Sequence, residues 1–140
     1  MNAEPRLDPV AIAALAALNI CGHPDLVTIV AAAFLKALPG YLVVLRQNVL
    51  APDLKTLSRI CHDLKSSSAS VGAVVLAALC IEVEALVRSG ATHAMASKLR
   101  RIVDEIEAVC PELEALLLSR RDGGHTVTAI AGAPEYEEAK

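Results

Sequence analysis

From Asp8 to Ser119 the apolar residues of this chain recur at steps of three and four, the spacing that lines one face of an α-helix. Turn and cap residues cut that periodicity into five segments. Asp8-Pro9 opens the first, a capping carboxylate followed by proline at the first helical position, and Ala-rich sequence carries it to about Leu18. Asn19 to His23, with its Gly22, makes the turn into a second segment that starts near Pro24-Asp25 and runs toward Asn48. Pro39-Gly40 interrupts that segment, and because proline lacks a backbone N–H and crowds the preceding turn, a kink or two shorter pieces are expected.

The third segment starts around Pro52-Asp53 and places Leu54, Leu57, Cys61, Leu64, Ser68 and Val71 on one buried stripe. A fourth follows Gly72, turns Leu76, Leu79, Cys80, Val83, Leu86 and Val87 inward, and stops at Gly90, a favourable C-cap residue. The fifth opens near Thr92 and repeats Met95, Leu99, Ile102, Ile106, Val109, Leu113 and Leu116, with Pro111 expected to bend it or end it early. Short connections between amphipathic helices favour antiparallel neighbours. The expected fold is therefore all-α: an up-and-down antiparallel four-helix bundle with a short additional N-terminal helix. The bundle should occupy residues 1–120, and the small and acidic residues of 121–140, beginning Arg121-Asp122-Gly123-Gly124, should form a disordered tail.

Composition supports this reading and narrows the partners. At 140 residues and 54% hydrophobic, the chain can bury one core, and its aromatics are only Phe34, Tyr41 and Tyr136. A formal net charge of −3 and the absence of any Lys/Arg run give no support to nucleic-acid or anionic-membrane binding, so the expected partner is a protein. No secretory signal precedes Cys21, Cys61, Cys80 and Cys110, whose spacing forms no CxxC pair; reduced, buried thiols in a cytoplasmic protein are expected. The apolar stretches are broken before the roughly 20 residues needed to span a bilayer, so no membrane contact is expected.

On a helical wheel the third segment turns His62 away from its buried stripe, with Lys55 and Arg59 on the same outer face and Ser58, Lys65 and Ser66 beside it. Neutral imidazole is a nucleophile toward an activated phosphoryl group, and neighbouring cations stabilise the phosphate once attached while disfavouring the imidazolium. Alone, an exposed histidine on a charged helix face is usually just a solvated side chain. Other candidates are weaker. Cys21 and His23 lack further ligands at metal spacing, so no metal site is expected; His93 and His125 lie at a helix start and in the tail. Asp104-Glu105-Glu107 and Glu137-Glu138 read as solvated charge, and no Gly-rich phosphate loop is present.

The run Cys61-His62-Asp63-Leu64-Lys65-Ser66-Ser67-Ser68-Ala69-Ser70-Val71-Gly72-Ala73 resembles the signature of histidine-containing phosphotransfer (HPt) domains: a histidine, x-Leu-Lys, a cluster of small residues, then Gly-Ala. Asp53 at the start of the histidine helix, and Leu76, Cys80 and Glu84 after it, extend the resemblance, which covers roughly residues 24–118. The resemblance implies that His62 is the phosphoacceptor and Lys65 its electrostatic support. It also implies a receiver-docking face of Lys55, Arg59, Ser66, Ser67 and Gly72, with Gly72 in the tight connection between helices three and four. Ser66 stands where the family usually has glycine, and Cys61, where alanine is usual, lies on the inward stripe as a packing substitution.

As the resemblance implies, the chain would accept a phosphoryl group from a receiver-domain aspartate and pass it to another receiver, as a cytoplasmic, monomeric carrier without turnover on a small substrate. It needs no cofactor of its own; the partner receiver supplies magnesium. Response-regulator receivers are the implied partners, and a hybrid sensor histidine kinase could carry such a module at its terminus. Two alternatives compete. His62-Asp63-Leu64-Lys65 also resembles the phosphoacceptor motif of histidine kinase dimerisation regions, although Ser66-Ser67 replaces the usual Thr-Pro. A helical adaptor without chemistry would instead be indifferent to loss of His62.

Overall fold

A computed structural model describes the backbone of residues 5–131 and the side chains of residues 5–121. It contains α1 (Pro9–Ala16), α2 (Leu26–Leu50), α3 (Leu54–Ser70), α4 (Val74–Ser89), a 3₁₀ turn (Thr92–Ala94) and α5 (Met95–Ala131), with no strand among the described residues. Each of the first three helices begins where a capping aspartate allows it. The carboxylates of Asp8, Asp25 and Asp53 accept from the backbone N–H groups of Val10, Thr28 and both Lys55 and Thr56, respectively. α4 ends at Gly90, whose φ of 73° is the left-handed cap conformation.

The bundle closes around the expected stripes. Leu57, Cys61 and Leu64 from α3, Leu76, Leu79, Cys80 and Val83 from α4, and Met95, Leu99, Ile102, Ile106, Val109 and Leu113 from α5 are buried against Ala31, Phe34, Leu38 and Leu45 of α2. Each fully buried Leu or Ile stabilises the fold by about 1.5–3 kcal/mol relative to exposure. The α2–α3 corner is fixed by buried Asn48, which donates to the Val44 carbonyl and accepts from the Asp53 N–H. α1 covers the corner between α3 and α4: the Asp8 N–H donates to the Gly72 carbonyl at 2.8 Å.

Three expectations change. α2 passes through Pro39 as one 25-residue helix rather than two pieces, and Pro39 sits on its exposed side, where water can meet the carbonyl released by the missing N–H. Pro111 does not end α5, which continues to Ala131 and so includes residues that the sequence reading assigned to the tail; residues 132–140 lie outside the described residues. Cys21 is exposed rather than buried, whereas Cys61 and Cys80 are buried and Cys110 is half-buried, all four as free thiols.

A polar clamp joins α2 to α5. The Arg120 guanidinium donates to both carboxylate oxygens of Asp25 at 2.9 and 2.8 Å, and Asn19 and Thr28 donate to the same carboxylate. Arg120 first, with Asn19 and Thr28, holds the Asp25 carboxyl far below the usual range despite the opposing cost of burial. The native carboxylate therefore stays ionised at pH values where the unfolded one has already bound a proton, so this stabilisation is present above about pH 4 and fades as the pH falls. Asp25→Asn is expected to lose about 1–2 kcal/mol at pH 7. In urea melts across pH, its gap from wild type should narrow steadily below about pH 4; a constant gap would show that the ion pair is not responsible.

Candidate functional site

α3 carries two faces set by its 3.6-residue repeat. Buried Leu57, Cys61, Leu64 and Ser68 hold it in the bundle, and this registers His62 outward, its side chain 66% exposed. Lys55, Arg59 and Ser66 are exposed on the same outer side, as expected from the wheel, and Ser67 is half-buried toward α2. Asp63, next in sequence to His62, lies close enough to Tyr41 of α2 that burial and then the Asp63 carboxylate push the phenol up. His62 thus sits on a helix flanked by α2 on one side and α4 on the other.

The α4 side brings in a residue to which the sequence reading gave no role. Glu84, with a side chain only 14% exposed, places Oε2 3.7 Å from His62 Nδ1 and accepts a 2.7 Å hydrogen bond on Oε1 from Lys65 Nζ. Lys65 is therefore tied to a carboxylate rather than standing free beside His62. The cationic surroundings expected of the imidazole are correspondingly incomplete, because the charged group recorded nearest to Nδ1 is an anion. Glu84 matched the family pattern in sequence, but periodicity on α3 could not show which α4 residue abuts it.

Beneath this group, Cys61 and Cys80 meet in the core. The interaction with Cys61, followed by burial, pushes the Cys80 thiol far above its ordinary range, so Cys80 packs as a neutral thiol. Gly72, expected on the docking face, is buried instead: it lies under α1 against Asp8 and Ala11, and its role is in the α3–α4 connection. Ser67 lines a groove of about 260 Å³ between α2 and α3 together with Phe34, Ala37 and Ser70. No group of three or more His, Cys, Asp or Glu side chains among the described residues could hold a metal ion.

This arrangement suits a group carried on the imidazole. The ring is reachable from solvent, a half-buried carboxylate lies on its Nδ1 side, and small residues follow along the helix. The chain superposes on the crystal structure of histidine-containing phosphotransfer protein B (HptB) from Pseudomonas aeruginosa PAO1 with a TM-score of 0.72 at 23% sequence identity, over 84% of this chain and 98% of that one; this likeness is one of fold. No curated protein matches the chain. The family model for the Hpt domain matches residues 30–112, more than half of the sequence and a span that includes α3, α4 and the His62–Glu84–Lys65 group. The chain therefore belongs to the Hpt domain family.

Proposed function

We propose that the protein is a phosphohistidine carrier of a two-component phosphorelay, accepting a phosphoryl group on His62 from a receiver-domain aspartyl phosphate and passing it to another receiver. The observation that carries this reading is an exposed His62 on the helix wall of an Hpt-family bundle, with Glu84 held by Lys65 at its Nδ1 side. In the forward step the outward ring nitrogen, Nε2, attacks phosphorus, the N–P bond forms as the acyl P–O bond breaks, and the aspartate leaves as a carboxylate. The positive charge that grows on the ring is offset by Glu84, which can hold or take the Nδ1 proton; the reverse step returns the phosphoryl group to an aspartate.

Lys55 and Arg59 lie on the face that a receiver must approach, where they favour an acidic partner and the incoming phosphate. Lys65 takes part by anchoring Glu84 in the resting state and can swing to the phosphate once it is attached. Magnesium comes with the receiver. The carrier domain corresponds to residues 1–120 and acts as a cytoplasmic monomer, either alone or as the terminal module of a hybrid histidine kinase.

Transfer from a phosphorylated receiver to this protein, and onward to a second receiver, tests the reading: the carried label should be acid-labile and appear on the second receiver. No uptake by folded protein from a panel of receivers would favour a binding-only adaptor. Glu84→Gln keeps the side-chain shape but removes the charge, and should slow transfer on the order of tenfold to a hundredfold in a rapid-quench assay. An unchanged rate would remove Glu84 from the mechanism.

A further inference from the structure

Viewed down α3, Arg59 and Ser66 fall about 60° and 40° to one side of His62, and Lys65 falls about 60° to the other. Lys65 marks the α4 side, where Glu84 accepts from its ammonium at 2.7 Å and lies 3.7 Å from His62 Nδ1. On the side away from α4, Arg59 and Ser66 are exposed, and neither side chain makes a hydrogen bond or ion pair among the described residues. Of the run Ser66-Ser67-Ser68, Ser66 has the outward hydroxyl, since Ser67 is half-buried and Ser68 is buried. We propose that the phosphoryl group on His62 is held on this side, between the Arg59 guanidinium and the Ser66 hydroxyl, and that the pair sets how far transfer runs toward the carrier.

The inference rests on the phosphocarrier reading and names the residues that hold the carried group. Phosphoryl oxygens are anionic, so the Glu84 carboxylate repels them from the α4 side, where Lys65 is already engaged in the resting state. Arg59 offers a fixed fork of N–H donors that matches phosphate geometry. Asp63, about 100° round on that same side, is four residues beyond Arg59 and forms no ion pair with it among the described residues. Ser66 stands one turn after His62, where Cβ atoms are about 5–6 Å apart, and helical side chains lean toward the preceding turn, which brings its hydroxyl back toward the ring. Ser70 donates to the Ser66 carbonyl at 3.1 Å, which leaves the Ser66 hydroxyl proton available. Glycine is usual at this position in the family, so the hydroxyl is a contact that this chain adds.

Holding and docking separate in the equilibrium. Between free receiver and free carrier the docked complexes drop out, so contacts made only during docking change the rate of transfer and not the final ratio of phosphorylated carrier to phosphorylated receiver. Full-length Ser66→Ala, Ser66→Thr, Arg59→Gln, Lys65→Gln and Arg100→Gln are compared with wild type, using the receiver that labels the wild-type protein. Loss of a hydrogen bond to a charged group should shift the ratio toward the receiver about threefold to tenfold in Ser66→Ala and about tenfold in Arg59→Gln. Ser66→Thr keeps the hydroxyl, and Arg100→Gln removes the same charge from an exposed position on α5, so both should stay within about twofold of wild type. Unchanged ratios in both Ser66→Ala and Arg59→Gln would overturn the proposal and leave those residues a docking role. A shift confined to Lys65→Gln would also overturn it, since the phosphate would then be held from the α4 side. Wild-type protein that phosphoramidate, a small donor that needs no receiver, does not label on His62 would instead bring down the carrier reading itself.

Discussion

His62→Gln is expected to fold like the wild type and to carry no phosphoryl group. The side chain is 66% exposed, and its recorded polar neighbour is Glu84 at 3.7 Å, beyond hydrogen-bond distance, so the substitution should change stability by no more than about 0.5 kcal/mol. Glutamine retains a polar side chain of similar reach but has no nucleophilic ring nitrogen, so the N–P bond cannot form. The loss should be complete rather than graded, and binding to a receiver should survive it. Circular dichroism melts beside a radiolabel transfer assay check both halves. A variant that still accepts label would place the chemistry elsewhere, while pathway output unchanged by the substitution would return the adaptor reading.

The largest structural effect is expected at Gly72. Its φ of 74° is the left-handed region, and a Cβ there would lie 2.7 Å from the Asp8 backbone nitrogen and 2.9 Å from the Cβ atoms of Asp8 and Ala11. Backbone nitrogen cannot move aside as a flexible side chain can, so α1 must shift and the Asp8–Gly72 hydrogen bond is strained or lost. Strain of about 1–2 kcal/mol and overpacking of about 1–3 kcal/mol add to a destabilisation of roughly 2–5 kcal/mol for Gly72→Ala. Gly90 provides the contrast. Its φ is 73°, but an added Cβ meets nothing within 4 Å, so Gly90→Ala should cost only the strain. Denaturant unfolding of the two variants therefore separates conformation from contact: equal losses would show that α1 does not press on Gly72.

Much of this architecture was legible in sequence because its signals are local. Asp8, Asp25 and Asp53 announce helix starts by side-chain chemistry within three residues, Gly90 announces a stop, and the steps of three and four on α3 give both its buried stripe and the outward turn of His62. What the sequence left open or misplaced involves forces that act across the bundle. Pro39 and Pro111 each remove one hydrogen bond, but α2 and α5 pack along each other, and this tertiary contact carries the helices through. α1 is apolar on most sides, so its sequence did not indicate which surface it would cover, and Gly72 was assigned to an open face that α1 closes.

The candidate site shows the same division. His62, Lys55, Arg59 and Ser66 share one helix, and their common face follows from the repeat alone. Glu84 reaches Lys65 and His62 from 19 and 22 positions away, and Arg120 reaches Asp25 across 95, separations at which residue spacing gives no register. The pairing of Lys65 with Glu84 is consequently visible only in the structure. On the proposed reading, the carboxylate beside the imidazole would give the ring proton a partner on the protein while phosphate is gained or lost.

The most direct test of the central claim is to locate the phosphoryl group after transfer from a phosphorylated receiver, by electron-transfer fragmentation of peptides kept at alkaline pH. The account predicts a single acid-labile phosphate on the peptide containing His62. Phosphate on His23, His93 or His125 instead, or on no histidine at all, would contradict it.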